Sequence, residues 1–275
     1  MTASQVEDGH VVFDQVTMAY GRRQVFRGLS CDFPKGKISV VLGGSGSGKS
    51  SMLRLIGGLV RPISGRILVE GVDVAGLGQR ELYSVRNKLG MMFQGGALLD
   101  SLTVFDNIAF PLREHTGLSE EQISEEVGRR LAAVGLSNIE QLLPSELSGG
   151  MVKRVALARA LMRNPVAVLI DEAFSGLDPV SIKLIEALLV KINQRYEMTM
   201  IIVSHHIPST MRMADNVLLL LRDRVVQGSP DELANSSDER IRRFLNEDVE
   251  DAASVIEHSE DFESETTPVA TGTLR

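Results

Sequence analysis

"ISVVLGGSGSGKSSMLRLIGGLV", residues 38–60, decides how the rest of the chain is read. The apolar run "ISVVL" passes straight into glycines and then into the helical "SSMLRLIGGLV", and residues 43–50 match G-x-x-x-x-G-K-[ST]. With a strand before it and a helix after it, the match reads as a phosphate cradle rather than a flexible Gly/Ser turn. Gly43, Gly44, Gly46 and Gly48, with Ser45 and Ser47 among them, let the chain curl so that successive backbone N–H groups point inward at phosphate oxygens. The helix that opens with Ser50 and Ser51 adds its positive end, Lys49 a mobile cation, and Ser50 a hydroxyl for Mg²⁺. A kinase, a GTPase or a motor would each use such a loop, so other residues must separate them.

Around the loop, short β-rich runs alternate with helical ones, without an internal repeat. "HVVFDQVTMAY" and "RQVFRGLSCDF" read as strands, and "GRILVEGVDV" as a hairpin. From about residue 95 to 165 the period becomes helical. There "SEEQISEEVGRRLAAVGL" opens with Ser119 and Gln122 at capping-box spacing and carries Ile123, Val127, Leu131 and Val134 on one face, which predicts a helical insertion. Apolar strands return as "VAVLIDE" and "MTMIIVSHH". This alternation predicts an α/β fold, a largely parallel sheet with helices on its faces, and chemistry at the carboxyl ends of its strands.

At 275 residues, 43% hydrophobic and 24% charged, the chain can build one large domain or two modest ones around a substantial core. Its apolar runs, such as "VLLLL" at 217–221, fall well short of the roughly 20 residues of a membrane span, and "MTASQVEDGH" lacks a basic start followed by an apolar stretch. Neither a span nor export is expected. Cys31, the single cysteine, sits in the alternating "LSCDF" and reads as a core residue; one thiol excludes an intramolecular disulfide. The net charge of −7 is unevenly spread, because residues 247–275 carry nine acidic side chains and one Arg, leaving +1 for residues 1–246. A near-neutral body with an acidic tail lacks the basic stripe that nucleic acid would require. The expected organisation is one domain over 1–246 and a flexible acidic tail over 247–275, in which "VIEHSEDF" is a candidate docking segment.

A second motif, "VAVLIDEAFSGLD", delivers Asp171 and Glu172 to the end of an apolar strand. Asp171 can hold Mg²⁺ there, and Glu172 can orient and deprotonate an attacking water. Neighbouring residues of a strand face opposite ways, so Glu172 must lie where the chain turns out of the strand if both carboxylates are to reach one site. A third stretch, "SELSGGMVKRVALARAL" at 145–161, places two adjacent glycines at a helix entrance. Gly weakens a helix, so the pair implies a backbone that something must approach closely.

Together these stretches resemble the ABC-type ATPases. "LSGGM" is similar to their signature motif, and the remaining motifs follow in that family's order: Tyr20 in the place of the adenine-stacking aromatic, Gln94 in "FQGG", Asp178 in "SGLD" and His205 in "VSHH". The resemblance implies a P-loop NTPase of the ABC nucleotide-binding fold, with a RecA-like core, an antiparallel β-subdomain and a helical subdomain at about 95–165. It implies ATP and Mg²⁺ as cofactors. Tyr20, residues 43–51 and Asp178 would then hold the nucleotide, Gln94 and His205 would assist Glu172, and Gln94 would join Ser50 and Asp171 at the metal. Ser148, Gly149 and Gly150 would face the γ-phosphate in the P-loop of a second copy, with free N–H groups and a helix dipole receiving the anion. Two positions depart from the family pattern: His206 stands where Asp is usual, and Ala173 where Pro is usual.

More particularly, "MMFQGGALLDSLTVFDNIAFPLREHTGLSE" with "LPSELSGGMVKRVALARAL" resembles the MlaF group, the ATPases of Mla-type phospholipid transporters that maintain outer-membrane lipid asymmetry. That resemblance implies a peripheral ATPase on the cytoplasmic face of the bacterial inner membrane that powers phospholipid movement between the two membranes. It implies as partners an MlaE-like integral-membrane permease touching residues 94–113, an MlaD-like periplasmic MCE-domain lipid carrier and an MlaB-like STAS-domain subunit. A second copy would close head to tail around two ATP molecules, with the acidic tail a candidate contact to that copy or to a subunit; no nucleic acid partner is implied. The ATPase of an amino-acid or other small-solute importer remains open, as do a non-transport ABC ATPase and a nucleotide-binding scaffold. The short gap from Lys49 to Ser148 excludes a long coiled-coil insertion, and the presence of Gln94, Glu172 and His205 favours hydrolysis over scaffolding.

Overall fold

The computed structural model describes residues 9–221 and 224–246; the acidic tail, with its candidate docking segment, lies outside the described residues. They fall into two compact units, the first ending at Pro230 and the second beginning at Asp231. The second unit contains helical residues 239–246. All the motifs above lie in the first.

Four strands of the first unit form an antiparallel sheet: β1 (Gly9–Tyr20), β2 (Arg23–Pro34), β4 (Ser64–Val69) and β5 (Val72–Asp73), in the order β2-β1-β4-β5. The hairpin expected at "GRILVEGVDV" is present, with β5 only two residues long. Phe13 of β1 and Phe33 of β2 meet edge to face at 6.2 Å beneath this sheet. The second sheet combines β3 (Ile38–Gly43), β6 (Leu89–Met92), β7 (Ala167–Asp171), β8 (Thr199–Val203), β9 (Asn216–Leu220) and β10 (Val225–Gly228), in the order β10-β9-β3-β8-β7-β6. All its pairings are parallel except β9 with β10. β3, β8 and β9 are buried at every residue, as continuous apolar strands covered on both faces must be.

The helix α1 (Lys49–Ile56) joins the two sheets. Its Met52, Leu53, Leu55 and Ile56 pack in one core with Phe13 and Phe33 of the antiparallel sheet and with Val41, Leu169 and Ile201 of the parallel sheet. Cys31 is buried in that core, which pushes its thiol pKa up and leaves it un-ionised. The phosphate-loop residues thus sit on a foundation fixed from both sides.

After α2 (Gln79–Arg86), the insertion is built from α3 (Val104–His115), α4 (Glu120–Ala133) and α5 (Gly149–Leu161). The capping box at Ser119 is reciprocal: Ser119 Oγ accepts from the Gln122 N–H at 3.3 Å, and Gln122 Oε1 accepts from the Ser119 N–H at 2.9 Å. Ile123, Val127, Leu131 and Val134 are all buried. Helix starts later than the periodicity suggests, at Val104 behind a Thr103 cap. The preceding loop is organised by Asn107, fully buried, whose amide donates to the carbonyls of Leu99, Leu102 and Thr103 and accepts from the Leu99 N–H at 2.7 Å. Two further helices, α6 (Pro179–Tyr196) and α7 (Ile207–Met213), follow β7 and β8. Among the described residues, no helix is long and apolar enough to cross a membrane.

Candidate functional site

β3 lies between β8 and β9, so the glycine loop emerges at the carboxyl end of the middle of the parallel sheet. Gly48, the residue capping α1, has φ 104°, and a Cβ there would lie 2.6 Å from Val25 and 2.8 Å from the Phe26 ring. Only glycine fits. Having no side chain, it also leaves the first-turn N–H groups of α1 for an outside acceptor. Ser47 Oγ is buried without a hydrogen-bond partner among the described residues. The buried Lys49 ammonium donates to the carbonyls of Gly43 at 2.6 Å and Gly44 at 3.1 Å. Burial lowers its pKa, against the opposing charges of Glu172 and Asp171. Tyr20 ends β1 with its ring exposed, and its hydroxyl accepts from Ser51 Oγ at 3.4 Å.

Ser50 Oγ donates to Asp171 Oδ1 at 3.2 Å, which joins the start of α1 to the end of β7. The next residue makes the turn that strand alternation demands. Glu172 has φ 57°, and its N–H donates to the Val203 carbonyl of β8 at 3.0 Å. Its carboxylate, 12% exposed, lies 3.0 Å from His205 Nε2. Burial raises the Glu172 pKa; Lys49 opposes this, Asp171 reinforces it, and Lys153 again opposes it. His206 caps α7, its Nδ1 accepting from the Ser209 N–H at 3.1 Å, and its ring lies 5.8 Å from that of Phe174. The imidazole therefore provides the acceptor that an Asp cap would supply. Ala173 is buried.

A second cluster forms around the signature stretch. Ser148 caps α5, its Oγ accepting from the Met151 N–H at 3.3 Å. A Cβ on Gly149 would come no nearer than 3.7 Å to Leu177, and one on Gly150 no nearer than 3.4 Å to Ser181. Packing within one chain does not require this pair of glycines. Asp178 caps α6: Oδ1 accepts from the N–H groups of Val180 at 2.9 Å and Ser181 at 3.0 Å, and Oδ2 from the Ser181 hydroxyl at 2.5 Å. Those hydrogen bonds, led by the Ser181 hydroxyl, lower its pKa. Gln94 has an exposed side chain, while its backbone carbonyl is bound by Lys153.

Structure thus brings Tyr20, Lys49, Ser50, Ser51, Asp171, Glu172 and His205 together and sets Ser148, Gly149, Gly150 and Asp178 in a neighbouring group. It also adds cations that no motif announces. Arg23 donates to the Gly46 carbonyl at 3.0 Å, and Arg159 to the carbonyls of Gly96 and Ala97, both at 2.7 Å. Lys153 is 5% exposed and reaches the carbonyls of Gln94 and Glu172. The signal available for Lys153 was its helical position: it lies four residues before the buried Leu157, a lysine on the face α5 turns inward.

Residues 26–175 match the ABC transporter family model. The intermembrane phospholipid transport system ATP-binding protein MlaF of Haemophilus influenzae is 42% identical over 84% of this chain and 88% of its own length. The probable ribonucleotide transport ATP-binding protein mkl of Mycobacterium leprae is also 42% identical, over 84% of this chain and 67% of its own length. Among solved structures, the dimeric post-hydrolysis state of the ATP-binding cassette MJ0796, bound to ADP and Pi, matches with a TM-score of 0.73 at 29% identity, covering 80% of this chain and 98% of that one. The mixed α/β architecture, the loop between β3 and α1, and these matches agree: the chain belongs to the ABC transporter family.

Proposed function

We propose that this ABC ATPase is the ATP-hydrolysing subunit of a transporter that moves phospholipids between the inner and outer membranes, and that residues 1–246 form its nucleotide-binding domain. The observation that carries the chemistry is the placement of Glu172, a nearly buried carboxylate held against His205 beside the Ser50–Asp171 pair and Lys49. The unpartnered Ser47 hydroxyl, the uncapped start of α1 and the side-chain-free Gly48 suit a bound phosphate. A hydroxyl, a carboxylate and an amide oxygen, from Ser50, Asp171 and Gln94, are the hard oxygen donors Mg²⁺ prefers. When bound, the ion supplies charge neutralisation at the phosphate oxygens.

In this reading Tyr20 stacks on adenine, and Lys49 exchanges the carbonyls of Gly43 and Gly44 for β- and γ-phosphate oxygens. Glu172 takes a proton from water as the water oxygen bonds to the γ-phosphorus and the bond to ADP breaks. Its raised pKa makes it the stronger base at neutral pH. His205 steadies the carboxylate and contacts the γ-phosphate. Asp178 helps hold the nucleotide, and Ser148, Gly149 and Gly150 act across the interface with a second copy, consistent with glycines that the chain's own packing does not require.

For the cargo, support comes from the similarity to MlaF and from the exposed apolar side chains Leu99 and Phe110 in the stretch assigned to an MlaE-like permease. The remaining partners are the MlaD-like carrier and the MlaB-like subunit, and the site of action is the cytoplasmic face of the inner membrane. Equal identity to mkl supports a second reading, import of a small solute. Mass spectrometry of what co-purifies with the N-terminally tagged protein from native membranes separates the two. A polytopic permease, an MCE-domain protein and bound phospholipid are expected. A permease with a solute-binding protein would establish the second reading, and the absence of any membrane protein would remove both.

A further inference from the structure

We propose that Lys153 is a positioning residue for hydrolysis, acting through the backbone of Glu172. The ammonium, carried on α5 and nearly buried, donates to the Gln94 carbonyl, to the Glu172 carbonyl at 2.8 Å and to Ser175 Oγ at 3.3 Å. Three donors meet three acceptors, so its hydrogen-bonding capacity is filled. Ser175 Oγ in turn donates to the same Glu172 carbonyl at 3.1 Å. That carbonyl is therefore clamped by two groups that also touch each other.

The clamp sits where the backbone most needs one. Glu172 holds φ 57°, a conformation costly for a residue with a Cβ, and such a residue keeps it only when its surroundings over-determine it. Fixing the carbonyl fixes the peptide plane that follows the turn, hence the direction in which the carboxylate leaves the backbone toward His205. Burying an ammonium among carbonyls without a carboxylate in direct contact is otherwise unfavourable. Its third contact ties the Gln94 loop to the same point. Lys153 also lies three residues beyond Gly150 on one helix, so a displacement of the signature stretch moves the donor that orients the base. The orientation of Glu172 thus depends on the position of α5.

This inference rests on Glu172 being the general base, and a double-mutant cycle distinguishes its failure from the failure of that assignment. In the full-length chain, K153M should lower single-turnover hydrolysis about 10- to 100-fold, the scale of a small misplacement of a catalytic group, while changing the affinity for a fluorescent ATP analogue less than about threefold. In an E172Q background the same substitution should change the rate less than about threefold, because the group it positions is already gone. Equal losses in both backgrounds, or a fall in nucleotide affinity parallel to the fall in rate, would show a general structural role and overturn the proposal. So would a K153M rate equal to wild type. E172Q turning over at the wild-type rate would instead remove the general-base assignment, and this inference with it. If K153M does not fold, S175A removes one of the two donors to the Glu172 carbonyl. It should slow hydrolysis several-fold in the native background and not in E172Q; equal effects in both would overturn the proposal.

Discussion

Glu172 reaches its position through one backbone angle, and its side chain through one neighbour, His205. Replacing it with Gln keeps the shape and removes the proposed base, so turnover should fall about 10²- to 10⁴-fold while ATP binding persists. Steady-state phosphate release beside a nucleotide titration checks both halves. Lys49→Ala should show the reverse order of effects, with weakened nucleotide binding first. These residues were legible because their chemistry is written in contiguous motifs, and strand alternation even required the turn at Glu172. Lys153, Arg159 and Asn107 were not, since each acts on backbone carbonyls, which every residue has and no pattern marks. His206 shows the limit from the other side: a departure from the family pattern keeps the cap because imidazole nitrogen and carboxylate oxygen both accept an N–H.

Between elements, the two sheets are latched by a buried histidine. His10 of β1 meets Thr199 of β8 through Nδ1 at 2.5 Å, and Nε2 lies 3.6 Å from Glu70. Thr199 Oγ1 also accepts from the Gly36 N–H at 2.9 Å, which ties the same hydroxyl to the turn before β3. Burial lowers the His10 pKa, the neighbouring Glu70 opposes this, and Lys35 adds to it. A depressed folded-state pKa means the contribution is present above the ordinary value of 6.5 and is lost as pH falls through the folded-state value. Urea unfolding should therefore show stability declining from pH 7 to pH 5, and His10→Gln should flatten that slope. At the β6–α5 contact, a Cβ on Gly90 would sit 2.4 Å from the Ala160 carbonyl. Gly90→Ala should cost about 1–3 kcal/mol, read as a lower thermal midpoint. The capping box at Ser119 was legible because two side chains declare it. β6, with four residues, and β9, buried throughout, were not assigned from sequence: one is too short for a period and the other has no polar face to alternate with.

For the whole molecule, the proposed function makes activity depend on a second copy that meets the glycines of the signature stretch. Ser148→Arg should abolish hydrolysis while leaving the circular dichroism spectrum of the single chain unchanged and lowering its stability only by the roughly 1 kcal/mol of a lost cap, since Ser148 is exposed and only caps α5. Full activity in that variant would make head-to-tail closure untenable. The order of strands in the sheet has a further consequence, for synthesis. Val40 of β3 pairs with Ile202 on one side and Val217 on the other, about 160 and 180 residues later. At roughly 5–20 residues per second, the strand that presents the phosphate loop waits on the order of ten to forty seconds, from its own translation, for both flanking strands to leave the ribosome. Until then its largely apolar surface has no native partner on either edge. A nascent chain stalled before residue 200 would thus display the nucleotide motif and bind no nucleotide, leaving it to chaperones and proteases rather than to ATP.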